Sequence, residues 1–165
     1  MSKKKIRVSS ITTDSIVNGP GLRYVLWVQG CSLQCKGCHN SHTWNTHDGY
    51  EATVDYLMNY FEKNNAGAYD GLTVSGGEPL DQWESVKELI IRFKDKFPKS
   101  SIWLYTGYEL EDIMKRFKNE PMELVEIETL VIGRYEKESP KHKSWAGSEN
   151  QLILQRIGED VFSVG

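Results

Sequence analysis

The chain has 165 residues, a net charge of −3, 26% charged residues and three cysteines. That length suits one domain with a real core and leaves little room for two. The acidic balance argues against a general nucleic-acid or anionic-membrane binder, and no apolar run approaches the ~20 residues needed to span a bilayer.

The N-terminus carries Lys3-Lys4-Lys5 with no apolar stretch behind it. Residues 1–5 therefore read as a flexible basic tail rather than a signal peptide, and 1–165 as a single domain. Ile6–Ser9 and Leu22–Gln29 read as strands. Residues 51–63 place Val54, Leu57, Met58 and Phe61 at helical spacing. A short strand at Leu72–Val74 stops at Ser75-Gly76-Gly77. Residues 81–96 predict a helix capped by Asp81 with Glu84 three residues on, striped by Val86, Leu89, Ile90 and Phe93. A strand at Ser101–Tyr105, a helix over 109–118, and strands at Ile127–Ile132 and Leu152–Leu154 complete the set. Alternating strands and helices predict an α/β fold, an open partial (βα) barrel of about five or six mostly parallel strands. Ligands of such folds lie at the C-terminal strand ends. The cysteine-containing loop, Gly76-Gly77, Thr106-Gly107 and Gly133-Arg134 each follow a predicted strand, so all four fall on that rim.

The three cysteines stand together as C-S-L-Q-C-K-G-C-H-N, at Cys31, Cys35 and Cys38. Thiolates are the usual ligands of a [4Fe–4S] cube, which normally takes four. Three of them leave one iron open to a ligand that is not protein. An odd count in a chain without export signals argues against disulfides and for a reducing, cytoplasmic compartment. With His42 the same residues also spell a Cys3His set of the kind that holds structural zinc.

The C-x3-C-x2-C spacing resembles that of the radical S-adenosylmethionine enzymes. Gly76-Gly77-Glu78 is similar to the G-G-E motif of that superfamily. Further segments narrow the likeness: D-S-I-V-N-G-P-G-L-R at 14–23, C-H-N at 38–40 with Thr43-Trp44, I-W-L-Y-T-G-Y at 102–108, L-V-I-G-R-Y at 130–135 and G-S-E-N-Q at 147–151. Together they resemble the glycyl-radical-enzyme activating proteins and, among these, the activators of anaerobic ribonucleotide reductase; the pyruvate formate-lyase activases are longer.

The resemblance implies a [4Fe–4S] cluster on Cys31, Cys35 and Cys38, with S-adenosylmethionine chelating the fourth iron. It implies that Gly76, Gly77 and Glu78 grip the methionine moiety, Glu78 through its side chain. Backbone near Gly37, Cys38 and His39 would close over the adenine end, and Arg134 would contact the carboxylate or ribose. Reductive cleavage would give a 5′-deoxyadenosyl radical that takes a hydrogen from a glycine of the large catalytic subunit of the reductase, with a flavodoxin-type protein as electron donor. Related activases tend to be acidic where this chain has Ile132. A small-molecule radical enzyme of the 7-carboxy-7-deazaguanine synthase type and a non-catalytic zinc or iron–sulfur module stand as alternatives. The docking surface is expected on the open rim and the 134–151 segment.

Overall fold

The computed structural model describes residues 2–124, 126–139, 143–157 and 162–164. Its strands are β1 (Lys5–Ser15), β2 (Arg23–Val28), β3 (Tyr50–Thr53), β4 (Gly71–Gly76), β5 (Ser101–Thr106), β6 (Thr129–Ile132), β7 (Leu152–Arg156) and β8 (Phe162–Val164). Its helices are α1 (Val54–Lys63), α2 (Trp83–Lys96) and α3 (Leu110–Arg116). Among the described residues these strands form one open sheet in the order β3-β1-β2-β4-β5-β6-β7-β8. The four central strands β2, β4, β5 and β6 are parallel, and the outer strands pair antiparallel.

The α/β architecture agrees with the sequence pattern, while the strand number exceeds the expected five or six. The additions are β3 and β8, of four and three residues, too short to show a period. β3 takes the first residues of the predicted 51–63 helix. Thr53 ends the strand and caps α1, accepting from the Tyr56 N–H at 3.0 Å. The basic tail is also smaller than expected. Lys5 begins β1, the Lys4 carbonyl accepts from the Val54 N–H, and the Lys4 ammonium meets Glu88 at 3.5 Å.

Strand alternation gives the sheet two unlike faces. Tyr24, Leu26 and Val28 of β2 join Ile102 and Leu104 of β5 in the main core, where Val86, Leu89, Ile90 and Phe93 of α2 cover them. On the other face Trp103 packs with Val131, Ala146 and Ile153. Ile132 lies in the main core at 1% exposure. An apolar residue there is thus what the helix-side packing calls for.

Arg23, wholly buried, fastens the N-terminal ends of three parallel strands. Its Nε donates to Thr73 Oγ1 at 2.8 Å, Nη1 to Ser101 Oγ at 2.9 Å and to the Pro20 carbonyl at 3.1 Å, and Nη2 to the Ser101 and Leu72 carbonyls. Burial pulls the guanidinium down to about 10, so it remains charged at neutral pH. Thr73 Oγ1 in turn donates to the Asn18 carbonyl. The Asn18–Gly21 turn is thereby tied to the sheet. Arg23→Met keeps the volume and removes every donor; it is expected to lower stability by about 2 kcal/mol, read from the unfolding midpoint.

Candidate active site

β2 delivers the chain into a closed excursion. The Gly30 N–H donates to the Thr43 carbonyl at 2.6 Å and the Cys31 N–H to the Trp44 carbonyl at 3.2 Å, so the loop leaves and returns at one place. The buried Gln29 amide holds the return by donating to the His42 and Asn45 carbonyls. Asp81 ties the cysteine loop from outside: its carboxylate accepts from the Ser32 N–H at 2.9 Å and from the Tyr108 hydroxyl at 2.8 Å. It does not cap a helix at 81, as the spacing predicts. α2 begins at Trp83 after a short 3-10 turn over Pro79–Gln82.

The Gly-Gly-Glu segment prolongs the pairing of β4 with β2 into this loop. The Gly77 N–H donates to the Val28 carbonyl and the Glu78 N–H to the Gly30 carbonyl, both at 2.8 Å. Gly76 has φ +110°, and a Cβ there would strike the Val28 backbone; one on Gly77 would collide with the Gly30 carbonyl. Both glycines are required by this close approach, which sets two motifs distant in sequence side by side.

Glu78 is 1% exposed and its carboxylate accepts three hydrogen bonds from the chain. Oε1 accepts from the Leu80 N–H at 2.9 Å and from the Thr106 hydroxyl at 2.7 Å, and Oε2 from the Gly107 N–H at 2.8 Å. Burial pushes the carboxyl up to about 7, against the pull of those three donors. In the structure the oxygens of this side chain, which the resemblance gives to the methionine moiety, join the end of β4 to the end of β5.

The far wall comes from the residues after β6. Tyr135 lies against His39, hydroxyl to Nε2 at 2.5 Å. Gln151 folds the segment 143–151 over the sheet: Oε1 accepts from the Gly147 and Ser148 N–H groups, and Nε2 donates to the Gly133 carbonyl at 2.9 Å. Trp145 sits at φ +62°, an uncommon conformation for a bulky residue. The Tyr105 hydroxyl holds its carbonyl at 2.6 Å, and its ring packs edge-on against Trp103.

These segments enclose a cavity of about 370 Å³, a size suited to a small-molecule ligand. Cys31, Cys35, Cys38, His39, Gly76, Gly77 and Glu78 all line it, with Thr106, Gly107 and Gly133 from the neighbouring strand ends. Gly37 and Arg134 stand outside the lining. Gly37, at φ +75°, faces the Lys137 side chain. Arg134 is exposed, its N–H donating to Glu109 and its carbonyl accepting from Asn150.

Among the described residues no three His, Cys, Asp or Glu side chains converge on a point that one metal ion would fill. A cube is a different demand, because it spreads three thiolates over three separate irons. Burial pushes the Cys31 thiol up, the charges of Glu78 and Asp81 adding to it, while the Leu33 and Gln34 N–H groups oppose. Beside the cysteines Trp44 keeps a buried indole nitrogen without a hydrogen-bond partner. Three half-buried thiols, an unmatched donor and a glycine-walled cradle fit a sulfur-rich cluster with a small organic ligand next to it.

A family model described as a 4Fe-4S single cluster domain matches residues 17–154. The anaerobic ribonucleoside-triphosphate reductase-activating protein of Enterobacteria phage T4 is 38% identical over 140 residues, 83% of this chain and 86% of the relative. The chain belongs to the family of anaerobic ribonucleoside-triphosphate reductase-activating proteins. The pyruvate formate-lyase 1-activating enzyme of Escherichia coli (strain K12) is a longer relative, 31% identical over 90% of this chain and 60% of its own length. The solved structure of QueE from Escherichia coli superposes with a TM-score of 0.47 at 14% identity, over 64% of this chain and 53% of that one, too loose a match to weigh. Segments from Val17 to Gln151 contribute to the wall of the cavity beside the cysteine loop. Among the described residues no helix is long and apolar enough to cross a membrane.

Proposed function

We propose that the chain works as one radical S-adenosylmethionine domain that generates a glycyl radical on the large catalytic subunit of an anaerobic ribonucleotide reductase. The observation that carries this reading is that the ends of four parallel strands converge on one cavity with all three cysteines in its wall. When bound, the [4Fe–4S] cluster and S-adenosylmethionine supply the one-electron cleavage and hydrogen abstraction that the side chains themselves cannot perform.

Everything else is positioning. Cys31, Cys35 and Cys38 hold the three protein-ligated irons. Gly76 and Gly77 bring main-chain polar groups to the ligand, and Glu78 fixes them relative to Thr106 and Gly107. His39, braced by Tyr135, closes the wall beside the last cysteine. Arg134 stands at the rim with its backbone held by Glu109 and Asn150, so it reaches the ligand through a swing of its side chain. The partner's glycine enters between Val17 and the Trp145 wall, both of which line the mouth, and the 143–151 segment offers part of the docking surface. Hydrogen-atom transfer needs no acid–base pair, and among the described lining residues no histidine is paired with a carboxylate. Three free thiols suit a reducing cytoplasm, and a flavodoxin-type protein suits the one-electron supply.

The test is anaerobic reconstitution with iron and sulfide, then dithionite, S-adenosylmethionine and the reductase subunit. A protein glycyl doublet in the electron paramagnetic resonance spectrum of that subunit is the expected result. Turnover of a small-molecule substrate with no radical on the protein would overturn the reading.

A further inference from the structure

Among the described residues one buried side-chain nitrogen or oxygen has no hydrogen-bond partner: Nε1 of Trp44. An indole nitrogen is a donor only, and leaving it buried and unmatched is unfavourable. Such a group calls for an explanation. Trp44 lines the cavity with the cysteines, and its own carbonyl accepts from the Cys31 N–H, which sets the two residues side by side.

We propose that the Trp44 indole N–H is the hydrogen-bond donor to the sulfur of the cluster site on its Cys31 side, and that it raises the reduction potential there. This rests on the reading of Cys31, Cys35 and Cys38 as the cluster ligands. Loading the site would add anionic sulfur to the cavity that Trp44 lines with the three cysteines. A donated N–H stabilises the more negatively charged, reduced form, and hydrogen bonds to sulfur are among the features that set iron–sulfur potentials. Trp44 is then a positioning and tuning residue, distinct from the ligands.

The experiment is a redox titration of the reconstituted protein and of Trp44→Phe, followed by electron paramagnetic resonance without S-adenosylmethionine. Iron content is measured first; a wild type with no cluster on the three cysteines fails the underlying reading, not this one. With equal iron, Trp44→Phe is expected to disfavour reduction about tenfold, a midpoint about 59 mV more negative for one electron. Trp44→His, which keeps a ring N–H, is expected to recover part of it. An unchanged midpoint overturns the proposal, as does a shift that appears only when S-adenosylmethionine is present, which would assign the donor to that ligand. If Trp44→Phe loads no cluster, the wild type decides. Tryptophan labelled with 15N in the indole should give a nitrogen coupling to the reduced cluster by electron–nuclear double resonance, and its absence overturns the proposal.

Discussion

Cys35→Ala is expected to leave the reconstituted protein with almost no cluster iron and S-adenosylmethionine cleavage at background, while the far-ultraviolet circular dichroism stays that of the wild type. The two halves of this result have separate causes. The loop is shaped by main-chain bonds: Cys31 N–H to Trp44, Cys38 N–H to Cys35, Thr43 N–H to Asn40. Cys38 Sγ accepts from the Asn40 N–H at 3.4 Å and the Leu33 and Gln34 N–H groups face the Cys31 sulfur, so it is these two sulfurs, not that of Cys35, that help to hold the loop. Removing the Cys35 sulfur thus subtracts a ligand without subtracting a contact that folds the loop. Three ligands are also the fewest that leave a single iron open, so the remaining two cannot hold the cube in a site that presents one iron to a substrate. Iron analysis and 5′-deoxyadenosine formation check both halves. Full iron content in Cys35→Ala would remove this cysteine from the ligand set, and a tightly held zinc in the wild type would favour the Cys3His reading that includes His42.

The legible parts of this molecule were those written in local pattern. The apolar runs of β2, β4, β5 and β6 identify strands that are buried on both faces, and the motifs that stop those runs mark the rim where the cavity lies. Long-range partners were invisible. Nothing near Arg23 in sequence announces that its guanidinium will reach Leu72 and Ser101, and a lone arginine opening a strand reads as a solvated charge. Gln151 looks like one more polar loop residue until its amide is seen to join Gly147, Ser148 and Gly133. Asp81 three residues before Glu84 is a capping pattern, yet the cysteine loop and Tyr108 compete for the same carboxylate and win. In each case one polar side chain serves segments far apart in the chain, and spacing carries no trace of that.

Glu78 shows what such a side chain contributes, and Glu78→Ala is expected to lower stability by about 3 kcal/mol and activation by at least about tenfold. The N–H groups of Leu80 and Gly107 and the Thr106 hydroxyl all lose their acceptor at once, in a place that is almost closed to water. The activity loss follows because the same carboxylate sets Gly76-Gly77 against the end of β5; without it both walls of the ligand cradle shift. Glu78→Gln separates charge from shape. Its single carbonyl oxygen can serve Leu80 and Thr106 together, leaving only the Gly107 N–H against an amide NH2, and a smaller loss than in the alanine variant is expected. The pH dependence gives an independent check. The folded carboxyl titrates near 7 and the unfolded one near the ordinary 4.5, so between these values the native state binds more protons than the unfolded chain. Stability from this group is then fully present below about pH 4.5, falls as pH rises toward 7, and is level above it. Glu78→Gln should abolish that fall, so its deficit against the wild type narrows from about pH 4.5 to about pH 7, read as the gap between unfolding temperatures under anaerobic conditions. A gap that widens with pH would mean the three donors outweigh burial and hold the folded carboxyl below its ordinary value.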